Sequence, residues 1–112
     1  MKNKEETKDN INFDELSFKM IGLIGEAKFK AHNALMLAKK DDFKESLKIL
    51  EESKRTLGDA GKEHLQVISS EAKGNSQPFK VIFMHAEDQY MTTQMYIDIV
   101  EELINILKDK KI

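Results

Sequence analysis

The feature that most limits what this chain can fold into is its shortage of helix breakers. The single proline, Pro78, lies in Gly74-Asn75-Ser76-Gln77-Pro78, the clearest loop in the chain. The stretches on either side are rich in Ala, Leu, Lys, Glu and Met, residues that lose little on entering a helix. At 112 residues, 40% of them hydrophobic, the chain is long enough for one core and too short for two. The expected fold class is all-α.

Apolar periodicity divides the chain into three helices. Helix one should start near Asn12, a capping residue, with Glu15 three positions on as its capping-box partner. Phe13, Leu16, Met20, Ile24, Ala27, Ala31, Leu35 and Ala38 form its main stripe, and Phe18, Ile21, Gly25, Phe29 and Met36 form a second arc beside it. Lys39-Lys40-Asp41-Asp42 places positive charge at one helix end and a cap at the next start. Helix two is expected from Phe43 to about Lys73, with a narrow stripe of Phe43, Leu47, Leu50, Leu57, Leu65, Ile68 and Ala72. Gly58 and Gly61 interrupt it at a cost of about 1 kcal/mol each against Ala, which suggests close packing against a neighbour. Gly74 suits the C-terminal cap, and Pro78 suits the first turn of helix three, expected from about Phe79 to Lys108. The polar residues 1–11 are expected as a flexible tail, leaving 12–112 as a three-helix up-down bundle.

Helix three carries more apolar surface than such a bundle requires. On a wheel of 100° per residue its apolar arc spans roughly 200°. One half holds Ile82, Ala86, Tyr96, Ile97, Val100, Ile104 and Leu107; the other holds Val81, His85, Asp88, Thr92, Met95, Ile99, Leu103 and Ile106. Glu87, Gln94, Asp98, Glu101 and Asn105 make the polar arc. The surplus points to self-association, with one half packed inside the protomer and the other between protomers.

Composition removes several function classes. The absence of Cys excludes disulfides, thiol chemistry and zinc–thiolate sites. The 18 basic and 20 acidic residues are well mixed, and no basic stripe points to nucleic acid or an anionic membrane. No apolar run approaches the roughly 20 residues that span a bilayer, and residues 1–10 are too charged for a secretory signal. A cytoplasmic location is expected. Neither a GxGxxG nor a GK[ST] phosphate loop occurs, so a phosphate on this chain should come from another phosphoprotein.

The chemistry-bearing stretch is Met84-His85-Ala86-Glu87-Asp88-Gln89-Tyr90-Met91. His85 and Asp88 are three residues apart and share a helix face. Their bland readings are a core histidine satisfied by a carbonyl, or a buried pair. The functional reading is a nucleophilic or metal-binding imidazole whose tautomer the carboxylate fixes. Copies of Asp88 around a rotation axis would repel unless a hard cation such as magnesium or calcium sat between them. Thr92, one turn on, is a donor candidate for Asp88. His32 and His64 read as partly exposed helix histidines, with a three-histidine metal site including His85 as the less favoured alternative.

Gly25-Glu26-Ala27, Ala31, Ala34-Leu35, Ala38-Lys39 and Asp42-Phe43 resemble the first helix and turn of the lactose/cellobiose-type enzyme IIA components of the bacterial sugar phosphotransferase system. His85 to Thr92 resembles the HAQDHLMT signature of that family. The resemblance implies a homotrimer of nine helices and a phosphorelay. The histidine-containing phosphocarrier protein phosphorylates the residue matching His85, and the phosphate passes to a cysteine of a IIB component and on to a sugar entering through the membrane IIC component. The sugars are β-linked disaccharides of the cellobiose, lactose or chitobiose class. It also implies that Asp88 holds a divalent cation, Mg2+ being the expected one, at the trimer axis. The chain departs from the family at Gln89, where a second histidine is usual, and in Ala60-Gly61-Lys62-Glu63-His64-Leu65, where AHxAQT is common. Gln89 and His64 are then the candidates for supporting the phosphate, with His64 replacing the lost glutamine. The alternative is a transfer-incompetent relative acting as regulator or scaffold.

Overall fold

The computed structural model describes residues 11–110. Three helices follow one another: α1 (Phe13–Lys39), α2 (Phe43–Ala72) and α3 (Val81–Asp109). Cross-helix contacts set the directions. Lys19 meets Glu63 and Lys30 meets Glu52, so α1 and α2 run antiparallel. Lys54 meets Glu101 and His64 meets Glu87, so α3 reverses again. The up-down-up order matches the expectation. The Lys19–Glu63 contact, at 2.6 Å, is a hydrogen bond as well as a charge pair, and it raises the Lys19 pKa. Of the expected tail, residues 1–10 lie outside the described residues, and Ile11 is buried.

The helix ends are built as their residues dictate. Asn12 accepts a hydrogen bond from the Glu15 backbone N–H at 3.1 Å. Asp41 adopts a positive φ of 67° after α1. The Asp41 and Asp42 N–H groups then bond back to the carbonyls of Ala38 and Leu37 at 3.0 Å, the Schellman pattern that satisfies a helix C-terminus. Asp42 also caps α2 by accepting from the Glu45 N–H. Gly74 repeats the Schellman device after α2 with φ 93°, its N–H reaching Glu71 O and that of Asn75 reaching Ser70 O. Pro78 does not open α3. Lys80 remains extended, with φ −132° and ψ 119°, and α3 starts at Val81 without a side-chain cap. The loop is tied down instead by Gln77, which donates to Ser70 Oγ and to the Asn75 carbonyl.

The main stripe of α1 is buried from Phe13 through Ala38 except at Leu35, which is half-buried, while Ala34 beside it is fully buried. The α2 stripe is not the expected one. Leu50 and Leu57 are buried, but Leu47, Leu65 and Ile68 are exposed, and Ser46, Ser53 and Ser70 take core positions. The reason is close approach of α1 and α2 along Ala27, Ala31 and Ala34, where a serine fits and a leucine would not. Ser46 donates to Ala34 O and Ser53 to Ala27 O, each at 2.6 Å, so these two buried hydroxyls are satisfied.

On α3, Ala86, Ile97, Val100 and Ile104 face the core. The other half of the apolar arc is open: Val81 is 72% exposed, Met95 62% and Ile99 49%. The polar arc flanks α2, where Glu87 meets His64 and Glu101 meets Lys54. No helix among the described residues is long and apolar enough to cross a membrane.

Candidate functional site

His85 is the fifth residue of α3, and it is exposed. That removes the core-histidine and buried-pair readings. Asp88 is also exposed and shares the open apolar face with Val81, Met95 and Ile99. Among the described residues neither His85 nor Asp88 has a hydrogen-bond partner, so the two are neighbours on a face without being joined. Thr92 does not serve Asp88; its hydroxyl donates to the Gln89 carbonyl at 3.2 Å. Gln89, one turn after His85, is half-buried, and helix geometry puts it beside His85.

His64 lies elsewhere. Its Nε2 is 2.8 Å from Glu87 Oε2, and its ring stacks on Phe83 at 6.1 Å and tilts against Tyr90 at 5.5 Å. Glu87 is two residues, about 200°, around the helix from His85. Within one protomer, then, His64 reaches the back of the turn whose front bears His85. His32 Nδ1 meets Tyr96 OH at 3.3 Å, so the three histidines stand at separate places. No group of three or more His, Cys, Asp or Glu residues suited to a metal occurs among the described residues. A cation at Asp88 would need carboxylates from more than one protomer.

Gly61 explains itself in part. A Cβ there would come within 2.7 Å of the Tyr90 hydroxyl, so the glycine is the space that Tyr90 occupies. Gly58 has no such neighbour; it borders a groove lined also by Lys54, Leu57, Tyr90 and Asp98. The sequence reading missed the partnership of Phe83, Glu87 and Tyr90 with α2. A histidine on one helix and a glutamate on another, 23 residues apart, carry no local period that would announce them.

Comparison with known proteins agrees with this arrangement. The family described as "PTS system, Lactose/Cellobiose specific IIA subunit" matches residues 15–108. The lactose-specific EIIA component of the PTS from Staphylococcus epidermidis is 30% identical over 101 residues, covering 88% of this chain and 97% of that protein. Its counterpart from Lactococcus lactis subsp. lactis is 29% identical, over 83% of this chain and 89% of that one. The crystal structure of the PTS cellobiose-specific enzyme IIA from Bacillus anthracis superposes with a TM-score of 0.83 at 25% identity, covering 88% of this chain and 91% of that one. PtcA from S. mutans shares the fold, with a TM-score of 0.85 at 22% identity over 96% of this chain and 99% of that one. With a matching helical fold and a match that runs through the His85 stretch, the chain belongs to the lactose/cellobiose-specific IIA family of the sugar phosphotransferase system.

Proposed function

We propose that this chain is a phosphohistidine carrier, taking phosphate from the histidine-containing phosphocarrier protein and passing it to a IIB cysteine during uptake of a β-linked disaccharide. The observation that carries the reading is His85 itself: an exposed imidazole, free of hydrogen bonds among the described residues, at the head of the family signature. A nucleophile that must meet two partner proteins in turn needs that exposure.

The neutral His85 nitrogen attacks phosphorus in line. The N–P bond to the donor histidine breaks, and that imidazole keeps the electron pair. In the second step a thiolate attacks, and His85 leaves as the neutral ring. Positioning and stabilisation of the phosphate oxygens supply the catalysis. Gln89, one turn from His85, is placed to donate to those oxygens. Met84 and Met91, both exposed, offer soft apolar docking contacts. The carrier works in the cytoplasm and does not touch the sugar, so its surface encodes partners rather than substrate.

The open face of α3 supports assembly as a homotrimer, three bundles giving nine helices. Asp88 lies on that face, and three copies around an axis would hold a hard cation such as Mg2+, which supplies charge neutralisation to the assembly.

The test is intact mass after mixing the protein with phosphoenolpyruvate and the two upstream relay proteins. One acid-labile phosphate is expected, absent in His85→Gln with helicity unchanged. Phosphate on another residue would sink the assignment. No phosphate at all would favour the regulatory relative, a reading that the altered residues at Gly61 and His64 keep in view.

A further inference from the structure

The turn of α3 that carries His85 is held in an unusual way. It lies near a helix start with no side-chain cap and no acidic residue in the first turn, so tertiary contacts must fix it. Phe83, two residues before His85, packs edge-on against Phe13 of α1 at 5.2 Å and stacks on His64 of α2. Glu87, two residues after His85, bonds the same imidazole at 2.8 Å. Tyr90 also lies against this ring, at 5.5 Å, its hydroxyl filling the space above Gly61. Residues two before and two after a helix position point to roughly the opposite side of the helix. Gripping both sets the rotation of that turn and aims His85 outward.

Four departures from the two signatures quoted above meet here. Gly61 and His64 stand where AHxAQT has histidine and glutamine, and Glu87 and Tyr90 where HAQDHLMT has glutamine and leucine. They touch one another pairwise, His64 with Glu87 and Gly61 with Tyr90. A tyrosine at position 90 requires the missing side chain at 61, and a carboxylate at 87 suits an imidazole at 64.

We propose that His64 is a positioning residue for phosphotransfer at His85, acting through Glu87 and Phe83 rather than by touching the phosphate, with Gly61 and Tyr90 as the matched second half of the same clasp. The catalytic part rests on the carrier reading above.

The experiment measures steady-state phosphorylation by the phosphorylated upstream carrier protein, at a temperature where circular dichroism finds every variant folded. His64→Ala should lower kcat on the order of 10-fold and leave KM for the donor protein unchanged. His64→Gln, whose amide still donates to Glu87, should recover most of that loss. Glu87→Ala should reproduce the defect, and the double variant should be no worse than either single, because both break one contact. Gly61→Ala should lower Tm, and Gly61→Ala with Tyr90→Phe should restore it by removing the hydroxyl.

A silent Glu87→Ala beside a defective His64→Ala would overturn the proposal, since His64 would then act on the phosphate directly. So would additive losses, or a fall in Tm with kcat intact. If the native chain accepts no phosphate, the carrier reading fails. The clasp is then decided by Tm alone: coupling between positions 64 and 87 supports it, and independence overturns it.

Discussion

Asn12 and His85 mark the two kinds of polar residue on this chain. Asn12 is tied to its helix, its side chain accepting from the Glu15 N–H at 3.1 Å. Without it the first N–H groups of α1 lose a partner. Asn12→Ala should therefore lower the unfolding free energy by about 1 kcal/mol, while Asn12→Asp should hold it. Urea unfolding of the three proteins side by side checks this, and an unchanged midpoint in Asn12→Ala would contradict the cap. His85 is exposed and unbonded among the described residues, so His85→Ala should stay within about 0.5 kcal/mol of the native chain. Stability and chemistry are separable at this scale. What was legible follows the same division. Caps act over three residues and can be read from neighbours in sequence, as Asn12 and Asp42 were. The His64–Glu87 bond joins two helices and depends on how they rotate against each other, which no local pattern encodes.

At the scale of the element, the seam between α1 and α2 decides the packing. Ala27, Ala31 and Ala34 have no exposed surface, and the serines opposite donate into the α1 backbone. A search for apolar stripes reads Ser46 and Ser53 as surface and Leu65 and Ile68 as core, and the fold reverses both. The start of α1 and the turn into α2 were legible because caps are chemical, whereas α3, which has no side-chain cap, starts two residues past the expected Phe79; the buried face of α2 was not legible, because fit at close range outranks hydrophobicity there. Ala31→Leu is the direct probe. Its added carbons have no space between the two backbones, and overpacking of this kind costs about 1–3 kcal/mol. The same change at an exposed position, such as Ala72→Leu, should be close to neutral. Equal midpoints for the two variants in thermal unfolding would mean that the helices can separate without cost.

For the whole molecule the open question is what covers the face of α3 that the bundle leaves bare. Val81, Met95, Ile99, Leu103 and Ile106 line it, and Phe18 and Phe29 of α1 are bare as well. A patch of that extent is rare on a monomer, and Asp88 within it would be costly to bury without a counter-charge. The bare face calls for a covering partner, and under the proposed trimer light scattering should find three times the chain mass, with Tm rising with protein concentration, as linkage requires of a folded oligomer. Ile99→Lys would place a charge from each protomer in the contact. An unpaired buried charge costs on the order of 3–5 kcal/mol, enough to give monomers that keep their helicity. A chelator should lower the Tm of the native assembly, and Asp88→Asn should abolish that sensitivity, since an amide neither repels its copies nor binds the cation as strongly. A native chain that scatters as a monomer would leave the α3 face to a partner protein. A trimer indifferent to both chelator and Asp88→Asn would place the carboxylates apart from one another and from any ion.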